Sequence, residues 1–205
     1  MNELLRPRPE GIRAGEAMRS RVQVFVGPPG SFEEQKKAAS AKGAETIDPL
    51  YAGVGPAVSS ISPLNKRSTE YTVCTGLFAI GKGMDGKNVS FVTHQIPSSN
   101  PEFIETYKQK VRARFEDLLA QIDPKSIDVG FFGGEAEEIV EGSPDEGRQR
   151  SKNEWYSSMR ELFARIARES AGVEMRVVDG PNRPGGRADV FLDTEGAKLY
   201  IEREE

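Results

Sequence analysis

The stretch "EYTVCTGLFAIGKGMDGKNVSFVTHQIP", residues 70–97, has the pattern of a β-hairpin. The apolar run from Tyr71 to Ile80 predicts one strand, and residues 89–93 predict the returning strand. Between them, "GKGMDGKN" holds three glycines and an Asp-Gly pair, which indicates a turn of more than two residues. The hairpin carries the only cysteine of the chain, Cys74, and the only histidine, His94.

The composition is that of a globular protein with one domain. The chain has 205 residues, of which 37% are hydrophobic and 29% charged, and its net charge is −4. It lacks a basic footprint for nucleic acid and an apolar run of the roughly 20 residues that span a bilayer. The N-terminal residues lack the apolar region of a secretory signal. We therefore expect no nucleic-acid partner, no membrane insertion and a cytoplasmic location.

The numbers of cysteine and histidine residues limit the disulfides and metal sites that the chain can form. A single cysteine excludes an internal disulfide and favours a reducing compartment. One cysteine and one histidine are too few for a four-coordinate zinc site, so we expect neither a metal nor a cofactor.

The first third of the chain is less regular than the rest. Residues 1–21 carry prolines and glycines among charges, which predicts a flexible tail ahead of a single domain at 22–205. The alternating valines from Val22 predict a strand, and residues 32–42 predict a short polar helix. Residues 44–65 are rich in glycine, proline and serine and predict a long loop.

Two helices and several strands are expected downstream. Apolar residues at steps of three and four predict an amphipathic helix from Phe103 to Ile122, with Asn100 as its cap and Pro101 at its first position. A second helix is expected from a Ser151 cap to Gly172. Strands are predicted in "SIDVGFFGG" and at 173–178, and a final hairpin at 188–202. The fold class is α+β, with sandwich-like layers of mixed β-sheet and both long helices packed on one side.

Cys74 and His94 form a candidate catalytic pair. A thiol attacks as its thiolate, and an imidazole can accept its proton and later return one to the leaving group. Each residue is ten positions from Met84, so a symmetric hairpin would place them opposite each other, with Cβ atoms about 4.5–5.5 Å apart. The alternative interpretation is a small buried cysteine and a histidine with a structural role.

Other residues are candidates for the rest of a site. Strand alternation places Thr72, Glu70 and Ser68 on the face of Cys74, where one of them would orient the imidazole or the substrate. Backbone N–H groups at Thr75 and Gly76 are candidates for stabilising an oxyanion. The "DGPNRPGGR" segment is either a tight turn or a cleft rim that grips a protein substrate; the rim residues would be Asn182, Arg183 and Arg187.

The order of these segments resembles the CheD family of chemoreceptor glutamine deamidases. The similar segments are "TVCTGLFAIGKG", "VSFVTHQIP", "IDVGFFGG" and "NRPGGRADVF", and the resemblance covers about residues 68–203. A more distant similarity is to toxins of the cytotoxic necrotizing factor type. The family has a "GLGSC" run where this chain has "EYTVC". Its catalytic threonine, six residues before the cysteine, corresponds to Ser68, and Thr72 is the second candidate for that role.

The resemblance implies hydrolysis of protein glutamine side chains to glutamate. Cys74 would be the nucleophile of a thioester pathway and His94 the acid–base, without a cofactor. The partners would be a protein bearing a reactive glutamine and a regulatory protein, in a setting like that of chemotaxis. The alternatives are a catalytically inactive protein-binding module of the same fold and another Cys–His hydrolase such as a peptidase.

Overall fold

The structure is a computed structural model that describes residues 21–47, 57–96, 98, 100–183 and 185–204. The tail expected at 1–21 lies outside the described residues, apart from Arg21. The single domain expected at 22–205 stays a prediction.

The hairpin at the centre of the sequence forms the middle of a five-stranded sheet, which we call the central sheet. Its spatial order is β3-β6-β5-β7-β8, with antiparallel pairing except between β7 and β8. The strands are β3 (Ala57–Val58), β5 (Thr75–Lys82), β6 (Asn88–His94), β7 (Asp128–Gly133) and β8 (Arg176–Val177).

A second five-stranded sheet, the outer sheet, packs against the first. Its order is β1-β10-β9-β4-β2, with parallel pairs at both edges and antiparallel pairs between them. The strands are β1 (Gln23–Gly27), β2 (Ala44–Ile47), β4 (Asn65–Tyr71), β9 (Ala188–Asp193) and β10 (Lys198–Arg203).

Three α-helices complete the described fold: α1 (Glu33–Ser40), α2 (Pro101–Leu119) and α3 (Glu146–Ala171), with a short 3-10 helix at Pro124–Ser126. The predicted start of α2 is confirmed, because Asn100 Oδ1 accepts a hydrogen bond from the Glu102 N–H and Pro101 is the first helical residue. Gly172 ends α3 in the left-handed conformation, as predicted. The predicted Ser151 cap is wrong, because α3 begins at Glu146 and Ser151 lies inside it.

The strand β5 separates two hydrophobic cores. Leu77 and Ala79 face the core made with α2 and α3, whereas Phe78 and Ile80 face the core between the sheets. Because both of its faces are covered, seven of its eight residues are buried. The predicted α+β class, with sandwich-like sheets and both long helices on one side, is confirmed.

Two expectations about strands were wrong. The long loop expected at 44–65 contains β2 and β3 among its described residues. The strand expected from Tyr71 to Ile80 is divided, because Tyr71 ends β4 in the outer sheet and Thr75 begins β5 in the central sheet. Cys74 therefore lies in the short connection between the sheets.

Candidate functional site

The connection that carries Cys74 has an irregular backbone. Pairing between β4 and β9 shifts between Ser68 and Tyr71, which indicates a bulge, and Glu70 has a positive φ of 65°. The Glu70 N–H donates to Asp189 Oδ1 at 2.9 Å, and the Thr72 N–H donates to the Glu70 carbonyl at 2.9 Å. This local turn sends the chain from one sheet to the other within three residues.

The register of the central hairpin differs from the symmetric one that was expected. Lys82 pairs with Asn88, so the turn is centred on Asp85 and not on Met84. The same register continues to the Thr75–Gln95 bridge, and it places His94 opposite Gly76. Cys74 is therefore a diagonal neighbour of His94, a relation in which strand residues are typically about 7–8 Å apart.

Both residues nevertheless face the space between the sheets. Cys74 packs in the inter-sheet core, and the ring of His94 reaches Ser68 on the outer sheet. Because Cys74 and His94 differ by two positions in register and not by one, they stay on the same face.

Ser68 determines the tautomer of His94. Ser68 Oγ lies 2.8 Å from the Ile47 carbonyl oxygen and 2.9 Å from His94 Nδ1. A carbonyl only accepts, so the single hydroxyl proton goes to Ile47 and Oγ accepts from Nδ1–H. The neutral imidazole of His94 therefore carries its proton on Nδ1, and Nε2 has the lone pair of a base.

Tyr71 holds the plane of the imidazole, a role that was not predicted from the sequence. Its ring stacks on that of His94 with centroids 3.9 Å apart and an angle of 13°. The Tyr71 hydroxyl donates to the Thr93 carbonyl at 2.9 Å, so the tyrosine ring is held by this hydrogen bond as well as by its own backbone. The only signal for it in the sequence was an aromatic residue three positions before the cysteine.

Cys74 is buried and uncharged at rest. Its exposed fraction is 7%, and burial raises the pKa of its thiol to about 11 from an ordinary value of 9.0. The Cys74 carbonyl accepts from the Gly134 N–H at 2.7 Å. Gly133 and Gly134, both at positive φ, make the turn that supplies this contact, and a Cβ on Gly133 would lie 2.8 Å from that oxygen.

Three residues expected to bind substrate are part of the scaffold. The Thr75 N–H donates to the Gln95 carbonyl at 3.0 Å, so it is not available to an oxyanion. A Cβ on Gly76 would lie 2.3 Å from the Phe132 ring, so close packing against that ring requires glycine at this position. The Asn182 amide donates to the carbonyls of Tyr71 at 2.5 Å and Thr72 at 3.0 Å, and so fixes the connection.

Of the remaining candidates, all but Ser68 lie at the surface. Arg183 is exposed, and Arg187 is exposed beside Glu70 at 3.7 Å and Asp189 at 3.5 Å. Thr72 is exposed next to Cys74, whereas Ser68 is buried against His94. Of the two candidates for the third catalytic group, the structure brings only Ser68 to the imidazole.

A cavity of about 350 Å³ lies beside this connection. Its walls come from the segment before Cys74, the residue after Gly134 and the first half of α3; the lining residues are Val73, Ser98, Glu135, Arg148, Ser151, Lys152 and Trp155. Within the described ranges, no cluster of three or more His, Cys, Asp or Glu side chains has an arrangement that could hold a metal ion. None of the helices described is long and apolar enough to cross a membrane.

Comparison with protein-family models and with curated proteins found no match to this sequence.

Proposed function

We propose that the protein is a thiol-dependent amidohydrolase that deamidates protein glutamine side chains to glutamate. The observation that carries the proposal is the hydrogen bond between Ser68 and His94, because it orients the imidazole in the space between the sheets, where Cys74 also lies. The resemblance to glutamine deamidases supplies the substrate class. A cytoplasmic location and a glutamine-bearing protein partner belong to the same proposal.

The first half of the reaction forms a thioester. Cys74 is protonated at neutral pH, so His94 Nε2 takes the thiol proton as Sγ attacks the carboxamide carbon. The carbonyl electron pair moves to oxygen and returns as the C–N bond breaks. The imidazolium gives its proton to the departing nitrogen, which leaves as ammonia.

The second half returns the enzyme to its starting state. His94 takes a proton from water as the water oxygen attacks the thioester carbon. The C–S bond breaks, the glutamate product leaves and Cys74 regains its proton from His94. Ser68 and Tyr71 keep the ring in one orientation through both halves.

Removal of the nucleophile or the base tests the proposal. We expect Cys74→Ala and His94→Ala each to abolish ammonia release from glutamine-containing proteins such as casein, with a one-dalton mass increase per site in the wild type only. Circular dichroism checks that each variant is folded, and Thr72→Ala, which changes an exposed neighbour, is the matched control. Ammonia release by Cys74→Ala at the wild-type rate would refute the mechanism.

Burial of the thiol favours one second candidate, a protein-binding module without catalysis. The same experiment separates the two, because a module would release no ammonia in any variant. A peptidase, the third candidate, would instead show cleavage of the backbone by mass spectrometry.

A further inference from the structure

The cavity beside Cys74 is in direct contact with the residues that hold the nucleophile. Val73, which lines it, is bonded to Cys74 in the chain. Glu135, another lining residue, follows Gly134, whose N–H donates to the Cys74 carbonyl. A substrate chain that presents a glutamine to Cys74 would therefore place a neighbouring residue at this cavity.

The charged groups around the cavity neutralise one another. Lys152 Nζ contacts Glu135 at 2.6 Å and also contacts Glu137, and Arg148 contacts Glu137 at 3.0 Å. Burial opposes the charge on Lys152, but its hydrogen bonds to the two carboxylates outweigh burial and raise its pKa. Two cations and two buried carboxylates leave no net charge to attract an ion.

Trp155 gives the cavity an apolar wall. Its indole Nε1 is buried, and no hydrogen-bond acceptor is found for it within the described part of the chain. Val73, half-buried on another wall, adds further apolar surface.

We propose that this cavity binds the residue next to the reacting glutamine and selects an uncharged, apolar side chain there. This inference rests on the proposed function. A charged side chain of either sign would lose its hydration in the cavity without gaining a counter-ion, because the charged groups around it are already paired with one another.

Peptide binding to the Cys74→Ala protein tests the selectivity. The probes are acetyl-X-Gln-X-amide peptides with X as Leu, Gly, Glu or Lys, and the readout is the fluorescence of Trp155, the only tryptophan of the chain. Burial of a leucine side chain predicts at least about tenfold tighter binding of the Leu peptide than of the Gly peptide. Binding of the Glu or Lys peptide as tight as that of the Leu peptide, or no fluorescence change with any peptide, would overturn the proposal.

A matched pair of serines on α3 locates the binding site. Ser151 lines the cavity, whereas Ser158 is exposed on the same helix and lines a different groove. In the Cys74→Ala background, Ser151→Phe should weaken binding of the Leu peptide at least about fivefold by filling the cavity, and Ser158→Phe should leave it unchanged. Equal effects of the two substitutions would exclude this site.

The proposed binding site and the proposed catalytic function can be refuted independently. Selective binding of the Leu peptide by a protein whose wild type releases no ammonia would refute the proposed function and keep the cavity as a peptide site. Ammonia release without selectivity among the four peptides would keep the function and refute the role of the cavity.

Discussion

His94 is oriented by two residues of β4, a strand of the outer sheet. Ser68 holds its Nδ1, and Tyr71 covers one face of its ring. These contacts fix both the tautomer and the direction of the ring, which are the two properties that a general base needs. In the proposed mechanism Ser68 is therefore a positioning residue, since it touches the imidazole and not the reacting atoms.

Removal of the Ser68 hydroxyl should lower catalysis and leave binding intact. We expect Ser68→Ala to reduce kcat at least about tenfold with little change in KM, because the Nδ1 proton loses its acceptor and the ring can turn. Ser68→Thr, which keeps the hydroxyl, should recover part of the rate. Steady-state kinetics across pH would measure both, and a wild-type kcat in Ser68→Ala would rule out this role.

The buried thiol predicts a distinct pH dependence of alkylation. Because the pKa of Cys74 is raised to about 11, the rate with iodoacetamide should rise about tenfold per pH unit from pH 7 toward that value. The same chain in urea is the control, since its exposed cysteine should level off near pH 9. A plateau below pH 7 in the folded protein would instead show a resting thiolate–imidazolium pair.

The raised pKa of Cys74 also makes the free energy of unfolding depend on pH. Between about pH 9 and 11 the unfolded thiol has lost its proton and the folded thiol keeps it, so the free energy of unfolding falls as the pH rises. The loss should reach about 2–3 kcal/mol in the wild type relative to Cys74→Ala.

At the level of elements, β4 is the strand that joins the sheets. It contributes Ser68 to the site and Lys66 to the same inner face, two positions earlier. Lys66 is fully buried, and its ammonium contacts Glu45 on β2 at 2.8 Å and Ser62 at 2.6 Å. Burial lowers the pKa of Lys66 even though Glu45 favours its charged form.

Removing only the carboxylate of the Lys66–Glu45 pair should cost more stability than replacing the buried lysine with an apolar side chain. Glu45→Ala leaves a buried ammonium without its counter-ion and should cost on the order of 3 kcal/mol. Lys66→Met replaces the cation with an apolar chain of similar length and should be neutral or stabilising. Urea unfolding would measure both variants, and a larger loss in Lys66→Met than in Glu45→Ala would contradict this account.

At the level of the whole molecule, the site depends on the spacing of two sheets. His94 belongs to the central sheet and Ser68 to the outer sheet, and the core between them sets the distance that their hydrogen bond requires. A second cross-sheet hydrogen bond, between Ser90 Oγ and Thr194 Oγ1 at 2.7 Å, lies further along the same face.

Substitution of two buried leucines distinguishes an effect of sheet spacing on activity from an effect of lower stability. Leu192 lies in the inter-sheet core and Leu118 in the core under the helices, and both are fully buried. Either change to alanine should cost about 2–5 kcal/mol. At a temperature where circular dichroism shows both variants folded, Leu192→Ala should lower kcat more than Leu118→Ala does. Equal activities would show that sheet spacing does not control the site.

Much of the fold was predictable because its signals are local. The apolar steps along α2, its Asn100 cap and the glycine at the end of α3 each depend on neighbours within a few residues. The strand β4 was missed because its sequence, "NKRSTEY", is mostly polar. Its polar side chains Lys66 and Ser68 are buried only because partners on other strands satisfy them.

The sequence by itself determined the two long helices, the central hairpin and the place of His94 on its second strand. Only the tertiary structure decided that Cys74 sits between the sheets, that His94 is its diagonal neighbour, and that Ser68 reaches the imidazole from the facing sheet. The physical reason is that periodicity reports which face of an element is buried. Register and sheet-to-sheet contacts depend on residues far apart in the chain.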